Sequence, residues 1–485
     1  MILETTLRGT ICNLPPEADK AFFRTGRYFQ AGLRTAHGKL NQGLKRDDIE
    51  PGLCDRFWMD VRFARDAILE AEANRAAMQE LIPTYLADTK VKISKVEKRL
   101  KDYLNGRRKP KRVTLEAAVT GLENRLTKLR AKRDKWQGHL DAGTMPSVIF
   151  GSAARFHARR KEQLSHRAWR FMRQRQFWNR GEKGKGGNPH VKITPKGDGF
   201  SIKIATLPMI EGKLTYFTAD LWLPEKKRDL LRAGLTEAFA VRIIRVGREW
   251  QAHITIREKV TGKLVGRAPA PTIVGGLDCN TDRLTLGVAS PQGNLLARRT
   301  IWLPNLRDMR SNEAAAVMGR ALKQALRWLE KQGATCLVVE NLKFAQDHDT
   351  QHRSNRATSK FRSTMVKLVM RMALRRGMQV VRINPAYTSV IGRHKYALLH
   401  RMSTHEAAAY VIARRGQGRD ERLPKNIVAR LPELQERLRA EAQLKPTKDK
   451  IRAKYLRWAE KLTDWKNMSS WSLWSIWDKA SGLIT

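Results

Sequence analysis

Two carboxylates close two apolar runs of this chain. Asp278 follows Ile273 and Val274 within Gly276-Leu277-Asp278-Cys279-Asn280, and Glu340 follows Cys336-Leu337-Val338-Val339. Hard oxygen donors fixed at strand ends suit Mg2+ or Mn2+, and a facing pair can share two ions. Such ions activate water and stabilise the attacking and leaving oxygens of a displacement at phosphorus. Metal-dependent phosphodiester hydrolysis is therefore within reach of Asp278 and Glu340, provided the fold brings them together. Read as purely structural residues, Asp278 would be a turn carboxylate beside Asn280 and Thr281, and Glu340 a surface strand end.

The composition points the same way. Lys and Arg number 94 against 47 Asp and Glu, a formal net charge of +47 with a pI near 10.8. Charge of that density repels itself in a folded chain unless a polyanion neutralises it, so nucleic acid is the expected partner. A ribosomal-type basic protein would share the charge but not the paired strand-end acids. Cys12, Cys54, Cys279 and Cys336 are scattered, with no CxxC pair. Neither a zinc site nor a disulfide framework is expected, and a cytoplasmic, reducing setting fits. No apolar stretch nears the roughly 18 residues of a membrane span, so no membrane partner is expected.

These acids must be carried by a multidomain α+β chain. Leu3 to Cys12 reads as a strand closed by Pro15-Pro16, so residues 1–14 form a strand whose sheet partners come later. Residues 15–145 are helical. Within them Ile93, Val96, Leu100 and Tyr103, then Leu115, Val119, Leu122, Leu126 and Leu129, recur at steps of three and four, the seam of an antiparallel coiled-coil hairpin. Its tip carries Arg107, Arg108, Lys109, Lys111 and Arg112, either a solvated face or a clamp on a duplex backbone. Residues 146–267 alternate with period two around Val191, Ile193, Phe200, Ile202, Ile204, Leu214 to Leu223 and Val241 to Ile256, with a turn at Gly247. With the N-terminal strand they suggest a small antiparallel barrel into which the helical block is inserted.

Ahead of those strands, Arg155, Arg159, Arg160, Arg173 and Arg175 interleave with Trp169 and Trp178, and Lys183 and Lys185 stand in a glycine-rich loop. Cations between aromatics suit a backbone groove with stacking platforms, while the same aromatics could instead pack a helix onto the barrel. Arg393 and Lys395 join the list of candidate nucleic-acid contacts.

After the linker Ala268-Pro269-Ala270-Pro271, residues 268–423 show three strands, a helix from about Asn312 to Gln332, a strand, a helix from about Phe361 to Arg376, strand Gln379 to Ile383 and a helix from Thr404 to Arg415. That is the order of an RNase H-like α/β fold, in which the first strand and the later parallel strand lie side by side. Asp278 and Glu340 would then converge. Residues 424–485 are helical and rich in tryptophan, with Trp458, Trp465, Trp471, Trp474 and Trp477 expected to pack against the rest.

The segments Gly276 to Asn280, Val338-Val339-Glu340-Asn341-Leu342-Lys343 and Ile383-Asn384-Pro385-Ala386-Tyr387-Thr388-Ser389 resemble those of TnpB, the transposon-encoded RNA-guided nuclease related to compact type V CRISPR effectors. Pro146 to Ser152 and Gln176-Phe177-Trp178 resemble a divergent branch of that family. The resemblance implies a RuvC nuclease domain, a wedge-type barrel with an inserted helical recognition lobe, two Mg2+ or Mn2+ ions, and guide RNA and target double-stranded DNA as partners. It implies use at the prokaryotic nucleoid, and cleavage of guide-matched DNA beside a short flanking motif. Two departures stand out. The family's zinc ribbon is missing, since only fifteen residues separate Ser389 from His405. The family's third acid falls on His405 in His405-Glu406-Ala407-Ala408-Ala409. Adjacent helical residues project about 100° apart, so His405 and Glu406 cannot both face one ion. His405 shares a face with Ala408, Ala409 and Ile412 and has the better claim, as a ligand that favours Mn2+ or as a general base. A site with this change could also have lost cleavage and kept guided binding.

Overall fold

The computed structural model describes residues 1–110, 113–146, 148–303, 306, 309, 311–341, 353–444 and 449–484. Lys111, Arg112, Ser147, Leu342, Lys343 and Thr485 lie outside them. The chain forms two units, Ile2–Glu258 and Lys259–Thr485 with Met1.

In the first unit β1 (Ile2–Cys12) buries alternate residues, Leu3, Thr5, Leu7 and Ile11, as a strand with one packed face must. Four helices follow: α1 (Pro16–Asn41), α2 (Arg46–Phe57), α3 (Val61–Leu104) and α4 (Leu115–Asp141). The expected hairpin forms between the last two. Ile93, Val96, Tyr103, Leu122 and Leu126 make its buried seam, with Leu100, Val119 and Leu129 against them, while Leu115 is exposed. Short helices α5 (Ala153–Arg160) and α6 (His166–Gln174) lead into β2 (Gln176–Asn179), a strand the sequence pattern did not reveal. Strands β3 (Val191–Lys196), β4 (Gly199–Ile210) and β5 (Lys213–Trp222), helix α7 (Glu225–Gly234), and strands β6 (Ala240–Val246) and β7 (Glu249–Lys259) complete the unit.

The seven strands lie in the order β2-β6-β7-β1-β5-β4-β3. The N-terminal strand is thus central, flanked by strands from far along the chain, as expected. A closed barrel would need β2 and β3 to pair, and among the described residues they do not. Side chains link the two edges instead: Asn188 Nδ2 donates to the Asn179 carbonyl at 3.4 Å, and Asn179 Nδ2 lies 3.0 Å from His190 Nδ1. Helix α1 covers the sheet with Phe22, Phe29, Leu33 and Ala36, and the Phe22 ring meets Phe177, Phe217 and Trp250 edge-on.

In the second unit a two-residue strand β8 (Leu264–Val265) precedes β9 (Val274–Cys279), β10 (Arg283–Ala289) and β11 (Leu295–Trp302), then α8 (Ser311–Lys331), β12 (Cys336–Glu340), α9 (Arg353–Arg375), β13 (Gln379–Ile383), α10 (Thr388–Ile391) and α11 (Thr404–Gly416). The sheet runs β11-β10-β9-β12-β13-β8. β9, β10 and β11 pair antiparallel, while β12 and β13 add on parallel to β9. The RNase H-like order set out above is the order found, extended by β8 at the edge beside β13.

Helix α11 crosses the middle of this sheet at backbone contact. A Cβ on Gly276 of β9 would sit 2.1 Å from the Ala409 carbonyl oxygen, and one on Gly287 of β10 would sit 2.7 Å from the Tyr410 nitrogen. Only glycine on the strands, met by the backbone of Ala409, Tyr410 and Ala413 on the helix, permits that approach. On the opposite sheet face Gly275 meets Leu329 of α8. The C-terminal helices α12 (Lys425–Val428), α13 (Leu431–Gln443), α14 (Asp449–Thr463) and α15 (Ser470–Ala480) extend the core on which α11 packs. Trp474 and Trp477 are buried there, with Trp458 and Trp465 partly buried against them, as expected, whereas Trp471, expected to pack likewise, is exposed.

Candidate functional site

The register of β9 and β12 sets the site. Val338 lies opposite Gly276 and Val339 opposite Leu277, so one step further Glu340 stands beside Asp278. Both acids face α11, because Gly276, two residues before Asp278, touches Ala409, and Val338, two before Glu340, touches Gly416. Two carboxylates far apart in the chain thus share one face at the C-terminal ends of neighbouring parallel strands.

Each acid is held by its own partner. Asp278, 8% exposed, accepts through Oδ2 from Asn280 Nδ2 at 2.8 Å, and His405 Nδ1 lies 3.1 Å from the same oxygen. The Asn280 amide also lies 3.0 Å from that imidazole nitrogen, closing a triangle. Glu340 Oε1 accepts from the Thr388 hydroxyl at 2.7 Å. Tyr387, just before Thr388, is held at φ +64°, a left-handed conformation costly for an aromatic residue, and this turn delivers the hydroxyl to Glu340. Arg415 pins the same turn, donating to the carbonyls of Asn384 at 2.6 Å and Ala386 at 2.9 Å. Burial pulls the Arg415 guanidinium below its usual range, while the charges of Glu421 and Glu340 act against that pull. Asp282, near the other acid, is held below the ordinary carboxylate range chiefly by its hydrogen bond from Arg283.

His405 and Glu406 separate as helical geometry demands. His405 reaches Asp278, whereas Glu406 turns back on the helix terminus. Its Oε2 accepts from Ser403 N at 2.9 Å and Ser403 Oγ at 3.0 Å, and its own N–H donates to Ser403 Oγ at 3.3 Å. That reciprocal pair is a capping box. The carboxylate of Glu406, the other candidate for the third position, is thus engaged in capping α11.

Asp278 and Glu340 fit a hard divalent cation in charge, donor type and register. Thr285, directly opposite Asp278 on β10, adds a fully buried hydroxyl with no hydrogen-bond partner, a polar atom that a hydrated ion could satisfy. Among the described residues no three His, Cys, Asp or Glu side chains already converge as a ligand cluster. Asn280 and Thr388, which orient the acids, were not singled out from sequence. Their one signal was position, Asn280 two residues beyond Asp278 just past the end of β9, and Thr388 in the segment that follows β13 and opens α10.

The proposed nucleic-acid contacts scatter in character. Arg107, Arg108 and Lys109 are exposed beyond the end of α3, Arg155, Arg159 and Arg160 are exposed on α5, Lys183 and Lys185 are exposed in a short 3-10 turn, and Arg393 is exposed in a π-helical turn after α10. Lys183 lies 3.2 Å from Glu237. Trp169 is only 3% exposed, with Arg173 over its ring at 5.5 Å, so it packs the protein and offers no free face to a base. Trp178, half-buried, packs on the core of the first unit. Arg173 and Arg175 are half-buried, and desolvation lowers both guanidinium pKa values. Lys395 donates at 2.7 Å to Glu421, a buried carboxylate that also accepts from Tyr396 at 2.6 Å and Arg414 at 2.6 Å.

No protein-family model matches the chain. An uncharacterized protein of Saccharolobus solfataricus is 28% identical over 259 residues, covering 50% of this chain and 69% of that protein. An uncharacterized protein of Aeropyrum pernix is 26% identical over 176 residues, covering 34% of this chain and 45% of its own length. Among solved structures the chain is similar to T. thermophilus RuvC in complex with a Holliday junction substrate, at 20% identity and TM-score 0.23 over 29% of this chain and 90% of that one. It is also similar to a Cas12i-crRNA-dsDNA complex, at 11% identity and TM-score 0.34 over 92% and 76% of the two chains. A Cas12f1-sgRNA-target DNA complex matches at 11% identity and TM-score 0.21, over 85% and 99%. Similarity at that level fixes neither fold nor function, and the reading of the site rests on its own geometry.

Proposed function

We propose that the chain is an RNA-guided, divalent-metal-dependent DNA endonuclease. The observation that carries the reading is the placement of Asp278 and Glu340 at the same step of adjacent parallel strands, each oriented by a dedicated partner, in a chain of net charge +47. Asp278 and Glu340 would hold Mg2+ or Mn2+, with His405 completing the shell. When bound, the metal supplies an activated water and charge neutralisation at the scissile phosphate. Asn280 and Thr388 fix the two carboxylates before substrate arrives. His405, with Nδ1 beside Asp278, has Nε2 as the one nitrogen it could offer to that metal. The exposed cations on α5 and beyond α3 support binding to guide and target backbones, while base pairing with the guide would read sequence and the protein a short flanking motif.

A second reading, guided binding without cleavage, is favoured by the imidazole of His405 where the resembling family carries an acid. One experiment separates them. With copurified RNA sequenced and a matched plasmid supplied, Asp278→Ala and Glu340→Ala are each expected to abolish metal-dependent cutting while target affinity stays within about threefold, because they remove metal charge and no backbone contact. Cutting that survives either substitution overturns the site. A parent inert with Mg2+ and Mn2+ but tightly bound to target establishes the second reading.

A further inference from the structure

On the sheet face opposite Asp278 and Glu340, α8 and β11 enclose a cleft of about 390 Å³ lined by Arg299, Arg320, Lys323, Gln324, Arg327, Trp328 and Lys331. Five of the seven lining residues are cations and none is an acid. Arg320, Lys323, Arg327 and Lys331 succeed one another at helical steps of three or four, so they form one stripe along α8. Arg299 reaches the cleft from the edge strand β11. None of the five forms an ion pair among the described residues, and Glu330, the acid nearest in sequence, is taken by Arg376. Like charges at this spacing repel along a helix, so the stripe is costly unless an anion lies on it.

We propose that this cleft is a second nucleic-acid site, which binds the sugar-phosphate backbone of duplex DNA away from the cleavage centre. The stripe spans about 16 Å at 1.5 Å per residue, a length over which one strand of B-form DNA presents about five phosphates. Its one aromatic, Trp328, is half-buried. A single-strand groove would alternate cations with exposed rings on which bases stack, and this one does not. The two sites lie on opposite faces of one sheet, so a duplex held here is a different stretch of DNA from the one at Asp278.

The proposal rests on DNA being the substrate in the function proposed above, but its test reads binding alone. The full-length protein is titrated with a dye-labelled 20-base-pair DNA duplex, unrelated to any guide, across a series of KCl concentrations. Replacing Arg320, Lys323 and Arg327 together by Gln is expected to make the log–log salt slope shallower by about 2 to 3, at about 0.9 for each phosphate no longer neutralised. The charge-keeping set Arg320→Lys, Lys323→Arg and Arg327→Lys is expected to keep the parent slope. The Gln variant is expected to melt no lower than the parent, since it relieves repulsion on an exposed helix face; if it melts lower, Arg327→Gln alone is measured, with a shift of about 1 expected. An unchanged DNA slope overturns the proposal. So does a loss confined to a 20-base-pair RNA duplex run in parallel, which would assign the cleft to RNA. Asp278→Ala is expected to leave the slope unchanged, so failure of the nuclease reading and failure of this one give different results.

Discussion

At the level of single residues, the site turns on which nitrogen or oxygen faces Asp278. His405 does so at 3.1 Å, and Glu406, its neighbour, caps the helix instead. We expect His405→Ala to lose cleavage and His405→Asp to keep or raise Mg2+-supported cleavage by restoring a hard oxygen. Glu406→Gln should change little, because glutamine serves equally at that capping position. Rates measured with Mg2+ and with Mn2+ check the ranking, and an inactive Glu406→Gln beside an active His405→Ala would reverse the assignment. A second residue-level prediction concerns Asp66, fully buried, whose pKa burial pushes up to about 6 despite a hydrogen bond from Arg180 N at 3.0 Å. Between about pH 4 and 6 the folded chain keeps a proton that the unfolded chain has released, so the folded state loses stability as pH rises through that window. Asp66→Asn keeps an acceptor without the charge. It should stabilise the protein by on the order of 2–3 kcal/mol at pH 8 and by nothing below pH 4, read as the melting-temperature difference from the parent at each pH.

At the level of elements, α11 is the part that assembles the site, because His405 rides on it while Asp278 and Glu340 are fixed to β9 and β12. Its distance from the sheet is set by glycines. Gly276→Ala should push α11 outward, cost about 1–3 kcal/mol as an overpacked core does, and reduce cleavage more than target binding. Thermal melting with cleavage and binding titrations checks this, and a variant that melts and cuts like the parent would mean that the helix is free to shift. The hairpin of α3 and α4 illustrates a different kind of element. Its seam is a local heptad-like repeat, legible from sequence because i, i+3 and i+4 positions fall on one helix face wherever the helix goes.

At the level of the whole molecule, charge dominates. A chain of net charge +47 should bind guide and target through many phosphate contacts and release counterions in proportion. Affinity is expected to fall by at least about 10³ between 50 and 200 mM salt, as a binder with six or more phosphate contacts does. Anisotropy titrations over that range measure it. A log–log slope near zero would mean that the basic excess serves something other than polyanion binding.

The sequence alone determined the order of strands and helices around the acids, because period-two and period-3.6 patterns are local and survive any tertiary arrangement. It also pointed to a polyanionic partner, since net charge needs no coordinates. It pointed to His405 over Glu406 by helical angle, and in the fold His405 Nδ1 lies 3.1 Å from Asp278 while Glu406 caps the helix. Tertiary structure decided what depends on partners remote in sequence. The short strands β2 and β8 exist through the ladders they join, and no pattern of four or two residues announces them. Whether Trp169 stacks on bases or packs its helix, and whether Lys395 is free, stayed open because aromatic and basic types alone do not reveal burial, and only the fold shows one ring packed under Arg173 and one ammonium engaged by Glu421. The clasp of Asn280 on Asp278 and His405, and of Thr388 on Glu340, arose the same way. Register between β9 and β12 and glycine-permitted contact with α11 bring these groups within hydrogen-bond reach, and both are relations between segments that no single segment carries.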